Sequence, residues 1–379
     1  MTATATKTKA SGTTAKIPKA ELLDALLAVN HATPARPSKP ILANCRIGDG
    51  LVTGTDLEVR IDRTIAEHCE PFLVPHARLL AIVRAATGDE VTLTAKGPSV
   101  TVRCGGGSWT LPTEDVAEYP TWEPGEMQAV CRLPADQFAR AAKATTYATD
   151  SESSRYALGA VLIEVKGGNP TWVATDGRRL ACVETETDQA VDDRQTLVPR
   201  RVLDIVAGMA TGDGSVQVEA NAKEVQFTIR DERKGPSWKM QTTVTGRIVE
   251  GRFPRWRDVV GEPEGQATVL EVAELLASVR AAAIVTSEQS KGVDLTWTAD
   301  TLVLSGRSAE YGESTVRCPL VTAGDASQTK VDPRYVIEFL RSIPADEEPQ
   351  VDVYATNAES RVLLKCGPYT GVIMPLAKE

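Results

Sequence analysis

The residues of this chain that could do chemistry are few and poorly spaced for it. Its three histidines, His31, His68 and His76, all fall early in the sequence at intervals that match no metal-binding pattern, so they read as surface or hydrogen-bonded side chains. The seven cysteines (Cys45, Cys69, Cys104, Cys131, Cys182, Cys318, Cys366) are scattered, odd in number and without a C-x-x-C pair, which argues against a zinc knuckle or a disulfide framework. No G-x-x-x-x-G-K-S/T loop is present, so nucleotide hydrolysis has no anchor. Gly105-Gly106-Gly107-Ser108 lacks the lysine of a phosphate cradle and reads as a hairpin turn. Gly306-Arg307-Ser308-Ala309-Glu310 misses the closing glycine of a nucleophile elbow. Among 51 acidic residues no rule singles out a catalytic pair. The expectation is a non-enzymatic protein with no catalytic residue, no metal and no cofactor; the rival from another class is a hydrolase built on a carboxylate pair that no motif marks.

The elements that would position a site are more legible. At 379 residues the chain has room for roughly two to four domains. Its 42% hydrophobic and 25% charged residues suit folded cores. No run approaches the roughly eighteen uninterrupted apolar residues of a bilayer span, and the N terminus lacks the apolar stretch of a secretory signal, which predicts a cytoplasmic protein without a membrane partner. Residues 1–16, dominated by Thr, Ala, Lys and Ser, predict a flexible tail.

One pattern then recurs three times. After an extended segment ending near a proline (Val74-Pro75, Val198-Pro199, Asp332-Pro333), apolar pairs follow: Leu79-Leu80 with Ile82-Val83, Val202-Leu203 with Ile205-Val206, and Val336-Ile337 with Phe339-Leu340. Pairs at i, i+1, i+3 and i+4 share one helical face, and a proline in the first turn is a start signal, so each copy predicts a short amphipathic helix. Each helix stops at an acidic turn (Gly88-Asp89, Gly212-Asp213, Ala345-Asp346) and leads into two alternating runs. These begin at Val91 and Val100, Val216 and Val225, Val351 and Val362, and read as β-hairpins. An earlier helix opens each copy, over Lys19 to Asn30, Ala135 to Thr146 and Glu271 to Ala283, with acids early and bases late as the helix dipole favours. The repeat is a whole domain long. The expected fold is therefore α+β, three domains of two helices on antiparallel sheets over 17–126, 127–252 and 253–379, with the stretch from Gly251 to Gly265 a helix-poor linker.

Short motifs lie on these elements. Ala174-Thr175-Asp176-Gly177-Arg178-Arg179-Leu180-Ala181 resembles the ATDG-H-RLA segment of the bacterial DNA polymerase III β sliding-clamp family. Arg36-Pro37-Ser38-Lys39-Pro40-Ile41-Leu42 with Gly54-Thr55-Asp56-Leu57-Glu58 is similar to that family's first-domain pair. Arg155-Tyr156-Ala157-Leu158, Gly251-Arg252-Phe253-Pro254 and Val372-Ile373-Met374-Pro375-Leu376 resemble its later motifs, and all stand in the family's order from about residue 19 to the chain end. The resemblance implies a processivity factor: a head-to-tail homodimer whose domains close into a pseudo-sixfold ring around duplex DNA, helices inside and sheets outside, tethering a polymerase without reading bases. Loading then needs an external ATPase. The whole-chain charge of -9 argues by itself against an extended nucleic-acid surface. The six helical segments nevertheless sum to +2, the sign an inner wall facing DNA requires.

By matched motif, the resemblance nominates Arg36, Arg155, Tyr156, Arg200 and Arg201 as DNA-facing; Arg78, Arg84, Arg140 and Lys143 join them by helix position. It also implies a peptide cleft between the second and third domains, formed by Leu158, Thr175, Gly177, Arg178, Arg179, Leu180, Pro254, Val259, Val372, Met374, Pro375 and Leu376. That cleft would receive glutamine-leucine motifs of the replicative polymerase, the clamp loader and repair proteins, and a deformable methionine suits a site serving several partners. The implied dimer contact centres on Ile284 and Val285, with Trp109 as their partner. Three features depart from the family: Arg178 where histidine is common, Leu376 where methionine is common, and Ala377-Lys378-Glu379 in place of a basic residue and leucine. They keep open a second reading, a clamp paralogue of a phage, plasmid or antibiotic-resistant host with altered partners.

Overall fold

The computed structural model describes residues 12–376 apart from 124, 151–155, 188, 190, 232–240, 288–291, 326 and 345–348. Seven α-helices lie among them: α1 (Lys19–Val29), α2 (His76–Ala85), α3 (Ala135–Thr146), α4 (Arg200–Met209), α5 (Trp256–Val260), α6 (Val272–Ala282) and α7 (Pro333–Ser342). Pro18, Pro75, Pro134 and Pro199 each close a strand directly before a helix. A proline has no N–H to give to the ladder, and its fixed φ feeds the first helical turn. At α7 the Asp332 carboxylate caps instead, accepting the Arg334 N–H at 3.0 Å.

Burial follows the expected faces. Val202, Leu203, Ile205 and Val206 of α4 are all buried, as are Leu79, Leu80 and Val83 of α2 and Val336, Phe339 and Leu340 of α7. α7 lies so close to the strand Tyr369–Ile373 that a side chain at Gly371 would stand within 3.1 Å of the Phe339 ring. Phe138 of α3 meets Trp172 edge to face at 5.1 Å, tying that helix to the strand Asn169–Thr175.

The chain divides into two compact units, 1–129 with 208–247, and 130–207 with 248–379. In the first, a four-stranded sheet runs Thr13–Pro18, Glu90–Lys96, Ser99–Cys104, Gly107–Pro112. Seven strands of a larger sheet run there in the order Phe72–Pro75, Asn44–Gly48, Leu51–Thr55, Val59–Thr64, Gln241–Arg247, Glu224–Asp231, Gly214–Ala220. In the second unit the small sheet runs Gly312–Pro319, Thr301–Ser308, Val293–Trp297, Gln328–Val331. Its large sheet runs Arg194–Pro199, Ala160–Lys166, Asn169–Thr175, Arg179–Glu184, Tyr369–Ile373, Val362–Cys366, Gln350–Tyr354, Thr268–Glu271. The stretch 127–252, expected as one domain, is thus shared between the units. Val244 stands opposite Ile61 in one large sheet and Leu180 opposite Val372 in the other. Each shared pairing completes a strand edge that would otherwise expose unpaired N–H and C=O groups.

Two expectations are corrected. Residues 13–16, expected within the tail, belong to the strand Thr13–Pro18, where Ala15 and Ile17 alternate into the core opposite Leu93 and Val91, and residues 1–11 lie outside the described residues; two apolar side chains are too short a pattern to reveal a strand. The expected helix-poor linker holds α5, whose Trp256 is buried with Phe253. The acidic turn at Ala345-Asp346 lies outside the described residues.

Candidate functional site

Two of the resemblance motifs form the same turn. Asp56 Oδ1 accepts the N–H groups of Glu58 and Val59 at 3.0 and 2.8 Å, while Thr55 Oγ1 donates to the Val59 carbonyl at 2.9 Å. Asp176 Oδ1 likewise accepts from Arg178 and Arg179 at 2.9 and 3.0 Å, and Thr175 Oγ1 donates to the Arg179 carbonyl at 2.6 Å. The residue between is left-handed in both, Leu57 at φ 79° and Gly177 at φ 85°. Glycine takes that conformation freely and leucine under strain. Thr175 and Gly177 therefore shape the turn that presents Arg178.

Arg179 is held within this framework and not offered to a ligand. Its Nε meets Asp176 Oδ2 at 3.0 Å, Nη1 pairs with Glu338 of α7, and Nη2 donates to the Tyr147 carbonyl at 2.7 Å. Its guanidinium carbon lies 4.5 Å from the Tyr335 ring centroid and 5.3 Å from that of Tyr147. Beside it opens a polar cavity of about 470 Å³, walled by Asp150, Asp176, Arg178, Arg334, Tyr335 and Glu338. The repeat pattern marked α7 as a helix but gave no sign that Arg334, Tyr335 and Glu338 face a cavity.

The expected cleft residues separate into floor and surface. Leu180 and Val372, 3% and 1% exposed, lie in a core cluster with Leu162, Val173, Leu197, Phe253, Trp256 and Leu363, and Leu158 is buried as well. Val259 and Met374, 40% and 43% exposed, remain at the surface with Pro254, while Pro375 and Leu376 are half-buried. The last described residues are tied down at alternate positions: the Met374 N–H donates to the Arg178 carbonyl and the Leu376 N–H to the Lys330 carbonyl, both at 2.8 Å.

Glu164 secures α5, the helix that carries Val259. It accepts from Gln195 Nε2 at 2.6 Å and Trp256 Nε1 at 3.2 Å and pairs with Arg257, whose guanidinium also stacks 4.1 Å over the Trp256 ring. Burial alone would raise the Glu164 pKa, but the hydrogen bonds from Gln195, Arg257 and Trp256 hold it below its ordinary value. A carboxyl group with a depressed folded-state pKa contributes stability above its unfolded pKa and loses it as pH falls through the folded value. Glu164→Gln should accelerate hydrogen exchange over Trp256–Val260 about tenfold at neutral pH, roughly 1.4 kcal/mol for an ion pair with one half-exposed partner. The gap to the parent should close on acidification through and below the carboxylate range; equal exchange at neutral pH would refute this role.

The remaining nominated residues are dispersed. Arg36, Arg78, Arg84, Lys143, Arg200 and Arg201 are exposed. Arg140 and Arg200 pair within their own helices, with Asp136 at 2.9 Å and Asp204 at 3.3 Å. Arg155 and the Tyr156 side chain lie outside the described residues. Ile284 is 78% exposed, while Val285 and Trp109 are partly buried. His76 Nε2 donates to the Leu26 carbonyl, 2.9 Å away in the core, and burial lowers its pKa. Gly105 and Gly106 make the hairpin turn between Ser99–Cys104 and Gly107–Pro112. Among the described residues no three His, Cys, Asp or Glu side chains are grouped to hold a metal, and no helix is long and apolar enough to cross a membrane.

Helices repeated on antiparallel sheets, with apolar side chains left exposed over a shared core, define a sliding-clamp fold. A Pseudomonas aeruginosa sliding clamp solved with griselimycin matches 97% of this chain with all of its own, at TM-score 0.87 and 24% identity. A Bacillus subtilis sliding clamp matches with TM-score 0.87 at 19% identity, over 97% of this chain and all of its own. The chain belongs to the DNA polymerase III beta subunit family: the family model of the N-terminal domain matches residues 13–123 and that of the central domain 132–255. The beta sliding clamps of Escherichia coli strain K12 and Haemophilus influenzae are 27% and 26% identical to it, over 92% of this chain and 94% of theirs. It is accordingly a non-catalytic processivity factor of DNA replication.

Proposed function

We propose that two copies of this chain close head-to-tail into a ring that encircles duplex DNA without sequence preference. The ring tethers the replicative polymerase, and in turn the clamp loader and repair proteins, by glutamine-leucine peptides bound at Val259, Met374 and Leu376. The observation that carries this reading is the end-to-end match to sliding clamps, 92% of this chain against 94% of the relatives. It favours three clamp domains, divided between 126 and 127 and between 252 and 253, the first opening at the strand Thr13–Pro18, in a cytoplasmic protein. A ring needs positive potential only along its inner wall, so an overall charge of -9 is compatible with it and keeps DNA off the outside. Of the nominated cations, Arg36, Arg78, Arg84 and Lys143 are exposed and make no ion pair with a carboxylate among the described residues, so they should contribute more than Arg140 and Arg200, which their own helices partly neutralise.

A topological tether separates from ordinary affinity on linear DNA. Loaded protein should persist on a linear duplex with blocked ends and leave within one sliding time when an end is freed. Binding to short open duplexes should fall as a power of salt concentration. Salt-insensitive retention on open-ended DNA would overturn the ring.

A further inference from the structure

We propose that Arg361 is a positioning residue for partner binding: it holds the far end of α5 and thereby fixes where Val259 stands relative to Met374. The inference rests on the peptide reading proposed above and deepens it. No motif in the sequence marks Arg361.

A helix of five residues closes too few hydrogen bonds to persist by itself, so α5 depends on what holds its two ends. Trp256, Arg257 and Glu164 secure the first turn. At the other end the chain leaves through Gly261, left-handed at φ 54°, whose N–H closes onto the Arg257 carbonyl at 2.9 Å. The last carbonyls then have no partner within the helix. Arg361 supplies one. Its Nε donates to the Val260 carbonyl at 3.1 Å and its Nη2 to the Glu262 carbonyl at 2.9 Å, across 101 and 99 positions of sequence. A cation is also the charge that a helix C-terminus favours. A Cβ at Gly261 would lie 2.8 Å from Nη2, so glycine there admits the guanidinium as well as the turn.

Arg361 immediately precedes the strand Val362–Cys366, in which Val362 and Leu363 stand opposite Ile373 and Val372 of the strand that runs into Met374. One guanidinium therefore bridges the helix carrying Val259 and the strand pair leading to Met374. Its side chain is 24% exposed and its planar fork is spent on the two carbonyls, with Glu264 at 3.8 Å. Arg361 is committed to the protein and not offered to a ligand.

The test titrates one fluorescently labelled glutamine-leucine peptide by anisotropy against the full-length protein and its variants. Arg361→Gln should weaken binding about tenfold, the scale of charge-assisted hydrogen bonds lost at a partly exposed site. Thermal unfolding and sedimentation should match the parent, because a one-turn surface helix opens without unfolding its unit. Arg361→Lys, which reaches one carbonyl at a time, should restore part of the affinity. In a Val259→Ala background Arg361→Gln should cost little more, because Arg361 acts through Val259. Unchanged affinity of Arg361→Gln would overturn the inference, and so would losses that add in full with Val259→Ala or that track a lowered thermal stability. Failure of the parent itself to bind the peptide would instead remove the peptide reading on which it stands.

Discussion

Ile284→Asp should convert the dimer into monomers of 40.6 kDa that no longer persist on end-blocked DNA. Ile284 sits in the short turn after α6 and is the most exposed large hydrophobic residue described, at 78%. Its neighbour Val285 turns inward, with Cγ2 within 3.2 Å of where a Gly306 Cβ would stand. An isoleucine this exposed contributes little to a monomer, so an aspartate there should fold normally. In a closed dimer it would be an uncompensated buried charge, which costs about 3 kcal/mol at each contact. A head-to-tail ring repeats the contact twice, about 6 kcal/mol together and on the order of 10⁴ in dissociation constant. Sedimentation, with circular dichroism to show the fold intact, measures this. An undisturbed dimer would move the interface elsewhere. Trp109 makes a weaker target, because its ring lies over its own strand: a Cβ at Gly107 would come within 2.1 Å of it.

The same contrast between local and tertiary causes explains which parts of the molecule were legible. Apolar pairs beside prolines locate three helices, and acids early with bases late the three that open each copy, because these signals act within one or two turns. α5 escaped that reading: five residues make little more than one turn, and the helix is held by Trp256 in the core and by Glu164, 93 positions from Arg257. Alternation showed where strands lie but not which strand from another repeat each would pair with, so the sharing of the middle stretch was invisible. Motif resemblance found the neighbourhood of the cleft without sorting roles inside it. Thr175 and Gly177 are turn formers, Leu180 and Val372 are core, and Arg179 is claimed by Glu338, 159 positions away.

That sorting sharpens the second large effect. Met374→Ala with Leu376→Ala should abolish stimulation of the polymerase on primed templates while leaving a dimer that still stays on DNA. Both anchoring hydrogen bonds use backbone N–H groups, so alanine preserves the course of the chain end. What is lost is apolar area a partner would cover, about 2 kcal/mol for each side chain and ~4 kcal/mol together, near a thousandfold in affinity. Leu180→Ala is the instructive comparison. It too should impair stimulation, but by opening a core cavity at about 2–5 kcal/mol of stability, with thermal unfolding shifted in parallel. Stimulation lost at unchanged thermal stability and unchanged sedimentation therefore assigns Met374 and Leu376 to partner contact, whereas undiminished stimulation would remove the peptide cleft from this surface.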